Sequence, residues 1–244
     1  MLRISLAVLA SVIGASAFAA DLGPYPPPAP MAPRPVFDWT GFYIGANAGG
    51  GIGTGRSDFD VGGGPGFAPF TNSMSGALGG VQAGYNRQLG SFVYGLETDF
   101  QFANIRGDID APTCPAAVCG VDLSAHYDQK IPWFGTVRGR AGYAAAGWLL
   151  YVTGGYAYAR LETNAVASAG GVSAGFSATE TRNGWTIGGG AEVALNAHWS
   201  AKVEYLYLDF GTTHTAIPFS GLPTVTDNAK LNSNVIRAGV NYRF

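Results

Sequence analysis

Charged residues are scarce in this sequence. Asp, Glu, Lys and Arg make up 12% of the 244 residues, against about 25% in typical soluble chains. The net charge of −2 provides no basic surface for nucleic acid. Long apolar runs are also lacking, because no window after residue 20 holds the ~18 apolar residues that a membrane helix needs. Glycine, with 37 residues, is abundant. Together these features favour a membrane β-barrel.

Cysteine is nearly absent, and the only two are Cys114 and Cys119. In an exported protein, two cysteines this close together predict a local disulfide. A metal site would need more ligands, and His126, His198 and His214 are not close to the cysteines in sequence. We therefore expect no metal and no cofactor, and we interpret the cysteine pair as a structural crosslink on a loop.

The first 19 residues have the pattern of a secretory signal peptide. Arg3 provides a positive start, and it is followed by the apolar stretch ISLAVLASVIGASAFA and a small-x-small site. We predict cleavage before Ala20, and a retained anchor is the alternative. The next segment, residues 20–38, is rich in proline, which lacks the amide donor that a β-ladder requires. It is expected to be an extended periplasmic spacer, or else a disordered tail without a role.

From residue 39 onward, alternation of apolar and polar residues predicts eight β-strands. Their connections are alternately long and short, which is typical of a chain that crosses a membrane up and down. The predicted fold is all-β: an eight-stranded up-and-down antiparallel transmembrane β-barrel over residues 39–244, with long outer loops and short periplasmic turns. The predicted strands are 41–53, 75–87, 92–103, 131–143, 149–159, 184–195, 199–208 and 235–244, and the predicted outer loops are 54–74, 104–130, 160–183 and 209–234.

The aromatic residues of the apolar rows decide which face is outside. They cluster at strand ends, whereas the strand centres carry Ile, Val, Leu, Ala and Gly. Two girdles around a plain apolar band match the two lipid–water interfaces. A soluble barrel with an apolar interior is the alternative. We therefore predict that the apolar rows face lipid. The periplasmic girdle is predicted at Phe42, Tyr85, Phe92, Tyr143, Trp199, Tyr242 and Phe244, and the outer girdle at Phe102, Trp133, Tyr158, Trp185 and Tyr207.

The polar rows then face the lumen, and they carry nine charged residues. An eight-stranded barrel is only wide enough to be filled by its own side chains, so charges buried there need partners. We expect a packed network of ion pairs that begins with Glu97 and Asp99 beside Arg138 and Arg140. A selective channel lined by charge is the alternative. The nine residues are Glu97, Asp99, Arg138, Arg140, Glu192, Lys202, Glu204, Arg237 and Arg243.

The last predicted strand ends in the sequence VIRAGVNYRF. It is expected to pair with the first strand, because an open edge in lipid would leave backbone groups without hydrogen bonds. Its final residues resemble the C-terminal signature of outer-membrane proteins. This resemblance implies that Tyr242 and Phe244 form an assembly signal recognised by the barrel-assembly machinery.

A wider resemblance covers all eight predicted strands. The chain resembles the small outer-membrane β-barrels of alphaproteobacteria, an opacity-like porin-family group that includes the major outer-membrane antigens of the rhizobial lineage. The segments that carry the resemblance are DWTGFYIGANAGGG, GVQAGYN, YGLETDFQ, TVRGRAGY, LYVTGGYAYA, GWTIGGGAEVAL, WSAKVEYLYLDFG and IRAGVNYRF. It implies a location in the bacterial cell outer membrane, in contact with outer-membrane lipid.

Three classes of function follow. A structural or surface barrel that contributes to envelope integrity is preferred, and a small-solute porin is the alternative. An enzyme on the same scaffold would need a nucleophile, a base and an orienting group that converge. His126 and His214, with Ser124 and Asp128 near the first, are more simply interpreted as loop residues. We therefore expect no enzymatic activity.

The resemblance also implies a role for the mature amino end. Members of the group are linked covalently to peptidoglycan through an alanine at the mature amino terminus, followed by an acidic or small residue. Ala20 and Asp21 match these two positions. Ala20 is therefore expected to be a site of peptidoglycan attachment.

Overall fold

The structure is a computed structural model that describes residues 37–61, 64–65, 70–110, 123–169, 171–217 and 225–244. Every regular element in these residues is a β-strand, and none of them forms a helix long and apolar enough to cross a membrane. The strands are β1 (Gly41–Val61), β2 (Gly64–Pro65), β3 (Phe70–Leu89), β4 (Phe92–Asp110), β5 (Leu123–Ala145), β6 (Trp148–Ala169), β7 (Val172–Ala194), β8 (Trp199–Ile217) and β9 (Val225–Arg243).

The eight long strands form one closed antiparallel sheet. Each pairs with its neighbours in sequence order, and β9 returns to pair with β1 from Tyr43↔Arg243 to Val61↔Val225. The two-residue β2 pairs only with the end of β1. Between the two ends of the membrane-spanning part, closure pairs both edges of every long strand, which the lipid environment requires. The predicted eight-stranded up-and-down barrel is confirmed.

Short turns join the strands at the end of the barrel that holds Phe37 and Phe244. The turn between β5 and β6 consists of Ala146 and Gly147, whose φ angles are 49° and 84°. Two positive φ values are typical of the hairpin turn whose twist matches that of the flanking strands. Between β7 and β8, Asn196 Oδ1 accepts hydrogen bonds from the amides of His198 and Trp199, at 3.0 and 2.9 Å. These connections are the predicted periplasmic turns.

Side chains alternate between the two faces as predicted. On β4, Leu96 is 68% exposed and its neighbour Glu97 is 3% exposed, so the apolar row lies outside and the polar row inside. Ring contacts define the two aromatic girdles. The periplasmic girdle includes the pairs Phe42–Tyr85, Phe92–Tyr143, Trp199–Tyr242 and Tyr242–Phe244, and the outer girdle includes Phe100–Trp133, Trp133–Tyr158 and Trp185–Tyr207.

The distance between the girdles fits a membrane. At ~3.3 Å per residue and a tilt of ~40°, the stretch of β4 from Phe92 to Phe102 rises about 25 Å along the barrel axis, which is the height expected of the apolar band.

The strands are much longer than predicted, and this corrects the predicted loops. Most of 54–74, 104–130, 160–183 and 209–234 belongs to strands that continue beyond the outer girdle. There the facing reverses, because water replaces lipid outside the sheet. On β4, Arg106 and Asp108 are exposed while Ile105 is 1% exposed. Register shifts between Phe102 and Ile105, and between Lys130 and Trp133, coincide with this boundary.

Candidate functional site

The lumen contains the largest group of buried charges in the described residues. Cross-strand register places opposite charges side by side: Glu97 is opposite Arg138, Glu192 is opposite Lys202, and Glu204 is opposite Arg237. Because each pair points into the barrel, the sheet itself brings opposite charges close together.

Arg138 is the centre of this group. Its guanidinium contacts Glu97, and it lies 2.9 Å from Asp99 Oδ2 and 3.1 Å from Glu204 Oε1. Its Nε also donates to Thr136 Oγ1 at 2.9 Å. A guanidinium presents five donors in a fixed plane, which suits it to bind several carboxylates at once. Arg138 is 1% exposed, so these contacts replace water almost completely.

Other contacts cross the lumen between strands that are not neighbours. Lys202 Nζ on β8 donates to both carboxylate oxygens of Glu97 on β4 at 2.9 Å. Arg237 Nη2 on β9 donates to Asp99 Oδ2 on β4 at 3.0 Å, and it also donates to Glu204 Oε2 on the adjacent strand β8 at 2.5 Å. Side chains from opposite walls of the barrel therefore meet across the lumen.

Eight of the nine predicted charges form one connected network, here called the charge layer. Arg140 completes it, with Nη2 at 2.9 Å from Glu192 Oε2 and Nη1 at 3.6 Å from Glu97 Oε2. Four of the eight are basic and four are acidic, so the layer is formally neutral. Its members, each 4% exposed or less, are Glu97, Asp99, Arg138, Arg140, Glu192, Lys202, Glu204 and Arg237.

Arg243 does not belong to the charge layer, and its predicted membership is wrong. It lies at the end of β9, where its Nη1 donates to the backbone oxygen of Asp38 at 2.6 Å. Its guanidinium also packs over the rings of Phe37 and Trp39, at 4.7 and 4.8 Å. The position next to the chain end puts Arg243 at the mouth of the barrel, below the carboxylates.

Two tyrosines that were not predicted as site residues bind the charge layer. Tyr43 OH donates to Glu97 Oε2 at 2.8 Å and accepts from Arg140 Nη1 at 3.0 Å. Tyr151 OH donates to Glu204 Oε1 at 3.0 Å, and the Arg140 guanidinium lies 4.0 Å from its ring centroid. For Tyr43 the available signal was an aromatic residue in a row whose other members are Gly and Asn.

A chain of amides and one hydroxyl satisfies the remaining carboxylate oxygen of Glu192. Ser200 Oγ and Asn241 Nδ2 donate to Glu192 Oε1 at 2.5 and 2.8 Å. Gln82 Nε2 donates in turn to Asn241 Oδ1 at 2.7 Å, and Asn47 donates to Gln82. Buried carboxylates are tolerated when their lone pairs are occupied in this way.

Apolar side chains fill the lumen on the outer side of the charge layer. They come from strands around the barrel and are 5% exposed or less. This set, here called the apolar layer, consists of Met74, Leu78, Ile105, Ile131, Phe134, Ala157, Ala159, Leu161, Leu206, Leu208, Phe210, Leu231 and Val235. An apolar layer of this kind excludes water and ions.

A third layer closes the periplasmic mouth. Trp39 is completely buried among Val93, Ala144, Leu149 and Tyr151. Its backbone amide donates to Gln88 Oε1 at 2.8 Å, which fixes the chain before β1 begins. We call Trp39 and its neighbours the mouth layer.

Several predicted site residues play no part in the lumen. Tyr242 lies in the periplasmic girdle, with its ring 5.3 Å from Phe244, and the Phe244 amide donates to the backbone oxygen of Phe42 at 3.1 Å. Their role as an assembly signal stays a prediction. Cys114, Cys119 and Ala20, with the rest of the predicted signal and spacer before residue 37, lie outside the described residues.

The two histidine candidates for catalysis, His126 and His214, lie on different strands. His126 and Asp128 are on the outer part of β5 and not in a loop, and His198 stacks on Tyr242 in the periplasmic girdle at 5.7 Å. His214 lies on β8. Within the described ranges, no group of three or more His, Cys, Asp or Glu side chains could hold a metal ion.

Known proteins match this sequence along nearly its whole length. Residues 5–244 match the family model described as "Outer membrane protein beta-barrel domain". The 31 kDa outer-membrane immunogenic protein of Brucella melitensis is 38% identical over 252 residues, with both chains fully covered. The 22 kDa outer membrane protein of Rhizobium leguminosarum bv. viciae is 30% identical over 178 residues, covering 72% of this chain and 67% of its own.

Among solved structures, the outer membrane protein OprG of Pseudomonas aeruginosa aligns with a TM-score of 0.48 and 14% identity, over 85% of this chain and 97% of its own. The sequence matches therefore identify the chain as a member of the outer-membrane β-barrel protein family, located in the bacterial cell outer membrane.

Proposed function

We propose that this protein is a closed structural barrel that contributes to the integrity of the outer membrane and conducts no solutes. The observation that carries the proposal is the filling of the lumen. The mouth layer, the charge layer and the apolar layer follow one another along the barrel axis, and their side chains are nearly all 5% exposed or less. A small-solute porin would need a continuous aqueous path, which layers packed in this way oppose.

Single-channel recording in a planar lipid bilayer tests this proposal. Purified, refolded protein is expected to give no steady openings, because the apolar layer excludes hydrated ions. Boiled, unfolded protein from the same preparation controls for leakage through a disturbed bilayer. Steady, ion-selective openings of a single size from the folded protein alone would contradict the proposal and establish the porin alternative.

The proposal includes a link from the barrel to peptidoglycan through Ala20. The mouth layer supports it, since Trp39 and Arg243 hold the chain at the periplasmic mouth just where the proline-rich segment joins the barrel. A polyproline-like stretch from Pro24 to Pro35 would extend roughly 35 Å at ~3.1 Å per residue. Such a spacer could carry Ala20 from the membrane toward the cell wall.

Mass spectrometry of purified sacculi digested with lysozyme tests the link. We expect a muropeptide attached to the amino group of the peptide that begins Ala20-Asp21. A chain in which Ala20 and Asp21 are both replaced by glutamine serves as the control and should yield no such adduct. Recovery of that peptide from the natural chain with only a free amine would exclude the link and leave the closed barrel unaffected.

A further inference from the structure

The lipid-facing surface of the barrel carries a groove of about 720 Å³ that crosses the middle strands. Its floor consists of small residues, with Gly139 directly opposite Gly154 in the register and Ala141 next to them on β5. Its sides are formed by the exposed side chains of Leu96 and Val152, which are 68% and 66% exposed. The volume lies in the range of roughly 300–1,000 Å³ that is typical of ligand sites.

A basic side chain stands at the periplasmic end of this groove. Arg87 on β3 is exposed on the outer face, directly opposite Tyr94 and two positions from Tyr85 of the periplasmic girdle. Within the part of the chain that the structure describes, no carboxylate forms an ion pair with Arg87, whereas every basic side chain of the charge layer is paired. An arginine at this height faces the phosphates of the periplasmic leaflet.

We propose that the groove binds one glycerophospholipid of the periplasmic leaflet. One acyl chain lies along the floor of Gly139, Ala141 and Gly154, and the phosphate accepts hydrogen bonds from Arg87. Arginine binds phosphate through paired N–H donors, and this contact is strengthened at the edge of the apolar phase. Tyr94 adds an amphipathic ring at the headgroup level, where tyrosine is favoured.

A second groove on the barrel allows the contribution of Arg87 to be tested, because it lacks a basic side chain. It has a volume of about 610 Å³ and is also lined by apolar residues, among them Ala46, Val81 and Ala83. No basic side chain lines it, and its single acidic residue, Asp99, points into the lumen. This groove therefore offers space for an acyl chain without a partner for the phosphate, which makes it the natural comparison.

Native mass spectrometry of the full chain, released from detergent micelles with added dioleoylphosphatidylglycerol, tests the proposal. We expect one retained lipid per barrel. Arg87→Gln should reduce its retention about tenfold, as expected for loss of a charge-assisted hydrogen bond. Gly139→Leu should reduce it similarly by filling the groove, since a Cβ at Gly139 meets nothing closer than the Gly154 oxygen at 3.9 Å.

Matched controls separate this site from general lipid contact. Arg106→Gln removes an exposed arginine above the outer girdle, and Ala83→Leu fills the second groove; both should retain the lipid like the natural chain. Equal losses in the controls would overturn the proposal, as would retention in Arg87→Gln. Displacement of the lipid by inorganic phosphate alone would show a free anion site and also contradict it. Ala141→Leu repeats the groove test if Gly139→Leu does not fold.

Discussion

Replacing Arg138 with alanine is expected to lower the free energy of unfolding of the barrel by about 3–5 kcal/mol. The guanidinium is the shared partner of Glu97, Asp99 and Glu204. Its removal would leave three buried carboxylates in a layer with one positive charge too few. The cost arises from these unpaired charges more than from the lost contacts, because a buried ion pair contributes little net stability when it is intact.

Urea unfolding of protein refolded in micelles measures this loss. Arg106→Ala is the matched control, because Arg106 is exposed to water above the outer girdle and its replacement should leave the midpoint nearly unchanged. A double variant, Arg138→Ala with Glu97→Gln, restores formal neutrality and should be less destabilised than the sum of the two single variants. Equal midpoints for Arg138→Ala and Arg106→Ala would mean that the lumen is hydrated.

The sequence alone predicts that this barrel is closed and which side chains face outward. Lipid imposes both, because it requires paired backbone groups and apolar side chains on the outer face. Alternation with period two separates Leu96 from Glu97, and only one of these can face a membrane. The pairing of Glu97 with Arg138 follows from the same alternation, because β4 and β5 are consecutive strands and both residues lie in inward-facing rows.

Contacts across the lumen cannot be obtained in this way. Lys202 reaches Glu97 from a strand that is not its neighbour, and this depends on strand tilt and stagger around the whole barrel. The apolar layer was missed for a different reason. On β8 the inward row changes from Lys202 and Glu204 to Leu206 and Leu208, and this change lies at the level of the outer girdle, on either side of Tyr207. Beyond that point apolar side chains are expected to face inward and polar side chains outward, as in a water-soluble barrel.

The mouth layer was also missed, because Trp39 precedes the first strand and has no alternating neighbours by which its direction could be predicted. Its ring lies under the guanidinium of Arg243, a residue more than two hundred positions away that was predicted to join the charge layer. Only the closure of β9 onto β1 brings the two residues together. Local sequence patterns therefore predicted the strands and their facing more completely than the side-chain contacts inside the lumen.

The mouth layer leads to the second large effect: Trp39→Ala should lower the free energy of unfolding by about 3–5 kcal/mol, the range for truncating a fully buried tryptophan. Trp39 is 0% exposed and packs against Phe37, with ring centroids 4.7 Å apart. Its indole Nε1 makes no hydrogen bond within the described residues, so truncation strands no polar partner and the loss reports packing.

The urea midpoint of Trp39→Ala should therefore fall well below that of Trp148→Ala, which removes a tryptophan that is 55% exposed on the lipid face. Cleavage by protease near residues 37–40 should become faster in the first variant only, because Arg243 then loses one of its two rings. Bilayer recordings should stay silent in both, since the charge layer and the apolar layer remain. Unchanged stability and protease resistance would show that Trp39 does not anchor the chain. Steady currents through Trp39→Ala would show instead that the mouth layer is what blocks ions in the natural chain, and that the charge layer and the apolar layer let ions pass.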